Sequence, residues 1–490
     1  MEAYRHYQLG LGYGRRFLTT EAIRELEEAV RLDPQFALAY MRLADQYALQ
    51  GDVRRSNETV DKVDQMQTRL PRFEQLSLHT LKAVRSRDGE AELAARQQLV
   101  SEFPRATEER GILGAVLSGL GKRDEAIDLF RQGLALDPKN AELLNFESYE
   151  LAKWGDFAGA LTASDGYMAV LPNDPNPFDS RGDILFMAGR NDEAVASYHK
   201  AIELKADFSD YTEYFKLAVV YTDQRKPDMA GAAFQQFAQK TTPLLRLYAP
   251  GLEAALKQTD GDLEGALAGY RKAAEQLGQG KQSEPAETFL RQFAHLAVMM
   301  GQGPSALTFA QQQKLDGEEL QAVAFLETMA GNSTAAEQSW RRFAASHPLV
   351  TPRVIEIGQT LDEISAAVGR GDGQGALTLA TRIPDLQFPV YLIFFKGRSH
   401  LLTNDYSSAE GELRSVLRRE RDMENGSAMS ERFPILGILS HYYLGQLYER
   451  TGKRDQAINE YQEFLSHFQG SQARLPQIGE ARTALKGLMQ

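Results

Sequence analysis

The chain has 490 residues, 55 Lys and Arg against 67 Asp and Glu, a formal net charge of -12 and no cysteine. The acidic balance argues against general nucleic-acid binding and against docking on anionic lipid, both of which need a basic face. The lack of cysteine excludes a disulfide scaffold, a thiolate metal site and a cysteine nucleophile. No run reaches the roughly 18 apolar residues needed to span a bilayer. The opening MEAYRHYQLGLGYGRR has no basic stretch followed by an apolar one, so it does not read as a signal peptide. It starts inside a patterned helix, which predicts further sequence before Met1.

An internal period organises the chain. Pro104, Pro138 and Pro172 lie 34 residues apart. In residues 3–36, Leu9, Gly10, Tyr13, Ala22, Leu26, Ala29 and Pro34 occupy positions 7, 8, 11, 20, 24, 27 and 32 of a 34-residue unit. Residues 37–70 keep Tyr40, Leu43, Ala44 and Tyr47, and 73–106 are looser. Residues 107–140 return to the pattern with Leu113, Gly114, Leu117, Ala126, Phe130 and Pro138. Residues 141–174, 175–208 and 211–244 keep Leu151 and Ala160, then Gly182, Ala194 and Tyr198, then Ala218, Ala230 and Phe234. Across 245–388 the match is weakest, and Ala266, Ala306, Ala336 and Ala376 mark the second-helix starts. Residues 390–423 and 438–471 recover it with Gly397 and Leu413, then Gly445 and Tyr461. The reading is seven repeats over 1–244, degenerate pairs over 245–388, and two good repeats over 389–471 with a long loop at 420–434. A capping helix follows over 472–490. A second long loop is expected at 278–287, and a helix-to-helix turn at 369–375.

The physics of the period is that of paired helices. Positions 4, 7, 8 and 11 share one helical face, and 20, 24 and 27 share a face of the next helix. Small residues at 8 and 20 allow close approach, and large ones at 11 and 24 fill the space around them. Gly51, Gly121, Gly155, Gly189, Gly261, Gly301, Gly331 and Gly452 fall at the turn between helices, and proline at position 32 stops the second helix.

These motifs resemble the tetratricopeptide repeat (TPR). The resemblance implies an all-α, right-handed superhelical α-solenoid of about 13 TPR-like helix pairs plus a C-terminal capping helix. In that family the first helices line a concave groove through positions 2, 5, 9 and 12. Carried onto this sequence, those positions suggest two partner-binding patches. One is Tyr391, Phe394, Arg398, Tyr442 and Gln446, an aromatic-plus-arginine set of the kind that dominates binding hot spots. The other is Asn145, Tyr149, Asp179 and Asp183, an acidic set suited to a cationic ligand. The lysine and asparagine clamp of co-chaperone TPR domains is not matched: Tyr7, Leu11, Met41 and Asp45 stand where its first residues would be. The opening 2–52 and the stretch 72–106 are also similar to a bacterial subfamily whose array follows a serine/threonine kinase or winged-helix domain. That resemblance suggests a cognate or attached domain of those kinds as partner.

Catalytic patterns are missing. The eight histidines show no H-E-x-x-H spacing. Gly10, Gly12 and Gly14 lie within a predicted helix, not between a strand and a helix. Arg181-Gly182-Asp183 falls in a helix and Arg370-Gly371-Asp372 in a turn, and both read as structural. The expectation is a non-catalytic interaction scaffold or regulatory module with no cofactor and no metal. Its partner would be a protein or peptide, with no nucleic acid and no membrane insertion. The alternative is a sensor of a small molecule or cell-wall fragment that binds in 245–388. Neither compartment nor oligomeric state follows from these residues.

Overall fold

A computed structural model describes residues 1–16, 18–120, 122–383, 390–422 and 432–490. Among the described residues there are 27 α-helices and no strand, which is thirteen antiparallel pairs and one final helix. The fold is an α-solenoid. The first pairs are α1 Glu2–Gly14 with α2 Thr19–Leu32, α3 Ala37–Leu49 with α4 Val53–Asp64, and α5 Arg72–Arg85 with α6 Gly89–Glu102. Then come α7 Thr107–Gly119 with α8 Arg123–Leu136, α9 Ala141–Lys153 with α10 Phe157–Val170, α11 Pro175–Met187 with α12 Asn191–Leu204, and α13 Thr212–Asp223 with α14 Pro227–Lys240. The series continues with α15 Pro243–Thr259, α16 Leu263–Gln279, α17 Ser283–Met299, α18 Gly303–Gln312, α19 Glu319–Met329 and α20 Ser333–Ser346. It ends with α21 Pro352–Gly369, α22 Gly373–Ala380, α23 Val390–Leu402, α24 Tyr406–Arg419, α25 Ile435–Arg450, α26 Arg454–Ser466 and α27 Pro476–Leu488. The chain divides into two compact units at Leu245/Arg246, so α1–α14 belong to the first and α15–α27, apart from the start of α15, to the second.

Two local devices make the hairpins. Gly51, Gly155, Gly189, Gly261, Gly301, Gly331 and Gly452 end the first helix with φ between 71° and 83°, a region in which a side chain is strained. Gly121 lies outside the described residues. An aspartate then starts many of the second helices. Asp52, Asp88, Asp156, Asp262, Asp372 and Asp405 each accept a hydrogen bond from a backbone N–H of the first turn. Such a cap contributes about 1 kcal/mol. Asp372 is therefore committed to its cap, and Gly182 of the other Arg-Gly-Asp tripeptide sits within α11.

Close helix approach is set by a glycine and by a large side chain sixteen residues later. A Cβ on Gly114 would stand 2.5 Å from Phe130, one on Gly182 2.5 Å from Tyr198, and one on Gly445 2.7 Å from Tyr461. Gly182→Ala is therefore expected to destabilise the first unit by about 1–3 kcal/mol through overpacking. Gly12→Ala, with nothing within 4 Å of the new methyl, should instead stabilise it by up to about 1 kcal/mol as a helix-interior substitution. Urea unfolding of both variants reads the two opposite signs.

The expected loop at 278–287 is not there. α16 runs through Gln279 and α17 begins at Ser283. Pro285 fits the first turn of α17, where no backbone donor is required, and Gly278 lies inside α16 against Leu315. Of the expected loop at 420–434, residues 423–431 lie outside the described residues. Phe433 is fully buried.

Each unit closes on itself. In the first, Arg16 Nε donates to Asp174 at 2.9 Å, Lys205 Nζ to Glu21 at 3.0 Å and Thr20 Oγ1 to Asp210 at 3.0 Å. The first pair thus meets the sixth and the turn after it. In the second, Ile435 N donates to the Gln258 side chain at 2.9 Å, His467 Nδ1 to the Thr259 carbonyl at 2.7 Å and Ser471 Oγ to the Gly261 carbonyl at 2.6 Å. The closing segment of the first unit is strained. Ser209, Asp210 and Tyr211 have φ of 45°, 54° and 70°, and each non-glycine residue there costs about 1–2 kcal/mol.

Candidate functional site

Charged and polar side chains gather on the first helices of the first unit. A partly open stretch carries Arg42 and Asp45 on α3, Glu108 and Glu109 on α7, and Glu142 and Asn145 on α9. Arg42 Nη1 lies 3.4 Å from Asp45, with side chains 34% and 31% exposed. Glu109 pairs with Arg96 at 3.4 Å. Burial pushes the Asp45 carboxyl up to about 6, with Arg42 opposing and Glu108 adding to it. Burial also pushes Glu142 up to about 7, aided by Glu108 and opposed by Arg15 and Arg42. The side-chain oxygen of Asn145 has no hydrogen-bond partner.

A second group on the first helices is closed to solvent. On α11 and α13, Asp179 is 7% exposed, Lys216 5%, and Asp183 and Glu213 are fully buried. Lys216 Nζ donates to both oxygens of Asp179 at 2.7 and 2.9 Å and to Asp183 Oδ2 at 2.8 Å. Asp183 also accepts from Tyr149 at 2.6 Å and from Tyr198 at 2.7 Å. Burial raises the Asp183 pKa, opposed by Lys216 and by the Tyr149 hydrogen bond. The Lys216 ammonium is desolvated too, but the two aspartates outweigh that and raise its pKa. Glu213 is raised well above the usual carboxylate range, first by burial and then by Asp179.

Of the acidic sequence candidates, Tyr149 and Asp183 are therefore bonded directly, and Asp179 joins them through Lys216. Asn145 stays apart, half-buried. Tyr149 and Asp183 both hold position 9 of successive repeats, 34 residues apart. The lysine and the third carboxylate were missed, because Lys216 and Glu213 stand at positions 6 and 3. The available signal was the separation of Asp183 and Lys216, one residue short of a full period.

In the second unit the aromatic candidates divide. Phe394 is fully buried, its ring edge-on to Phe395 at 5.6 Å and Tyr443 at 5.9 Å. Tyr442 is 2% exposed, donates to Glu480 of the capping helix and accepts from Gln446 Nε2 at 2.6 Å. Tyr391 stacks on Phe433 at 5.5 Å and lies 4.5 Å from the His295 ring. Arg398 is half-buried, with its guanidinium over the Tyr443 ring at 4.7 Å. Phe394, Arg398 and Tyr442 thus meet around Tyr443, and Tyr391 faces another cluster.

His6 and His441, at position 4 of the first and last repeats, make the same contact. Nδ1 of each lies 2.7 Å from a glutamate nineteen residues later, Glu25 and Glu460. Among the described residues no group of three or more His, Cys, Asp or Glu is arranged to hold a metal ion. No helix among them is long and apolar enough to cross a membrane.

Comparison with known proteins accords with this geometry. The tetratricopeptide-repeat family matches residues 111–142 and 440–471, the regions of α7–α8 and α25–α26 where Gly114 meets Phe130 and Gly445 meets Tyr461. Those two stretches are tetratricopeptide repeats. No curated protein sequence matches it. Similar solved structures include yeast Tom70, 12% identical over 83% of this chain and 90% of that one, with a TM-score of 0.38. The human IFIT1 dimer with PPP-AAAA is 13% identical over 85% and 90%, with a TM-score of 0.34. A tetratricopeptide repeat protein from Parabacteroides merdae is 12% identical over 74% and 98%, with a TM-score of 0.25.

Proposed function

We propose that this TPR array is a non-catalytic interaction scaffold whose first unit takes an extended, positively charged segment of a partner protein along its inner wall. The observation that supports the reading is the partly open stretch around Asp45, Glu108, Glu142 and Asn145. Burial and the nearby Glu108 raise Asp45 and Glu142, so a cation that enters relieves that repulsion. The spacing favours an extended segment, because carboxyls on three first helices, α3, α7 and α9, would meet it in turn. A fluorescent arginine-rich peptide tests it. Glu108→Gln with Glu142→Gln is expected to weaken binding about tenfold, and added salt should weaken wild-type binding in the same direction. An affinity unchanged by the double substitution would remove this wall from consideration.

A second reading is favoured by Arg398. Its guanidinium rests on an aromatic face and makes no ion pair among the described residues. That leaves it available to a carboxylate of a partner. Arg398→Ala should abolish capture of such a partner and leave helical content unchanged, as read by pull-down and circular dichroism.

A further inference from the structure

We propose that Glu213 and the left-handed turn before it form a proton-dependent latch on the first unit, closed while Glu213 is protonated and open once it ionises. The argument begins with donors. Glu213 is fully buried and neither of its carboxyl oxygens has a hydrogen-bond partner. The nearest cation is Lys216 on the same helix, and an ammonium has three N–H donors. All three point elsewhere, two to Asp179 and one to Asp183. The Lys216 charge and the residue's own backbone N–H favour ionisation, but burial and the neighbouring carboxylates outweigh them. Asp179 and Asp183 face it from α11 as like charges, and the hydroxyls of Tyr149 on α9 and Tyr198 on α12 are already given to Asp183. An ionised Glu213 would stand unpaired beside two carboxylates in a dry interior, so α13 must leave its seat when the proton is lost.

The turn supplies the path. Ser209–Tyr211 leads directly into α13 in a conformation that only its surroundings hold. Those surroundings are polar: Thr20 donates to Asp210, Lys205 reaches Glu21 at 3.0 Å and Asp207 at 3.4 Å, and Lys240 of α14 lies over Tyr211 at 6.0 Å and Tyr214 at 4.9 Å. Once α13 shifts, the turn relaxes to right-handed geometry and the contacts to the first pair are lost. Burial and Asp179 hold the Glu213 pKa well above its ordinary value. The sign follows: closure is favoured at low pH and is lost as pH rises through the raised pKa.

Hydrogen exchange on the full chain, corrected for the intrinsic pH dependence of exchange, tests the latch at pH 6 and pH 9. Amides of 16–22 and 205–216 are expected to lose protection about tenfold or more at pH 9 in the wild type. Glu213→Gln should keep them protected at both values. Glu213→Met, which also cannot ionise, serves where the amide variant folds poorly. Equal wild-type protection at the two pH values would overturn the proposal. So would the same loss in the variants, or a loss spread evenly over α1–α12.

Discussion

Lys216→Met is expected to destabilise the first unit by about 3–5 kcal/mol, the cost of removing one partner from a buried ion pair. Lys216 is 5% exposed and satisfies Asp179 and Asp183 together. Without it, those carboxylates and Glu213 remain in the interior with no cation. The loss should depend on pH. Burial already raises Asp183 and Glu213, and removal of the ammonium raises them further. A carboxyl with a raised folded-state pKa favours the fold at low pH and opposes it as pH rises through that value. The variant should therefore recover most of its stability near pH 5 and lose most near pH 8. Adding Asp183→Asn should restore part of the loss at pH 8, because one of the two acceptors left without the ammonium then carries no charge. Urea unfolding of the single and double variants measures both effects. A loss below about 1 kcal/mol at pH 8 would mean that water reaches the cluster.

Gly261→Ala is expected to cost the second unit about 2–5 kcal/mol, the sum of a left-handed alanine and an overpacked contact. Gly261 has φ +74°, and a Cβ there would stand 2.3 Å from the His467 carbonyl oxygen. A backbone atom cannot rotate away as a side chain can, so the closure through Thr259, Gly261, His467 and Ser471 must shift. Gly452→Ala is the matched control. It has φ +71° and nothing within 4 Å, so only the conformational part, about 1–2 kcal/mol, should appear. Equal losses in the two variants would show that the contact between α15 and the end of α26 contributes nothing to the second unit.

The hairpins were legible because they are local. A glycine at one position and a large side chain sixteen residues later state a close helix pair, and thirteen pairs with a final helix follow from repeating it. Pro285 misled because proline reads as a loop signal, whereas in the first turn of α17 it costs nothing. The wall was legible in part. Positions 5 and 9 led to Tyr149, Asp179 and Asp183, but the frame that found them passes over Lys216 and Glu213, each one residue past a groove position. Phe394 and Tyr442 illustrate the converse: an aromatic at a groove position packs inward where a neighbour such as Tyr443 or the capping helix supplies a surface. The closures had no signature at all, since Arg16 and Asp174 or Gln258 and Ile435 share no period and no motif.

Those closures alter how the array assembles. Their residues are 158, 184 and 190 positions apart in the first unit and 177, 208 and 210 in the second. A stack held only by adjacent neighbours folds from any point and tolerates deletion at its ends. Here the opening hairpin leaves the ribosome long before its partner exists, and the entropy of joining such distant segments places ring closure last. Removing α1 and α2 should therefore loosen the sixth pair as well as the second, which no additive account of repeats allows.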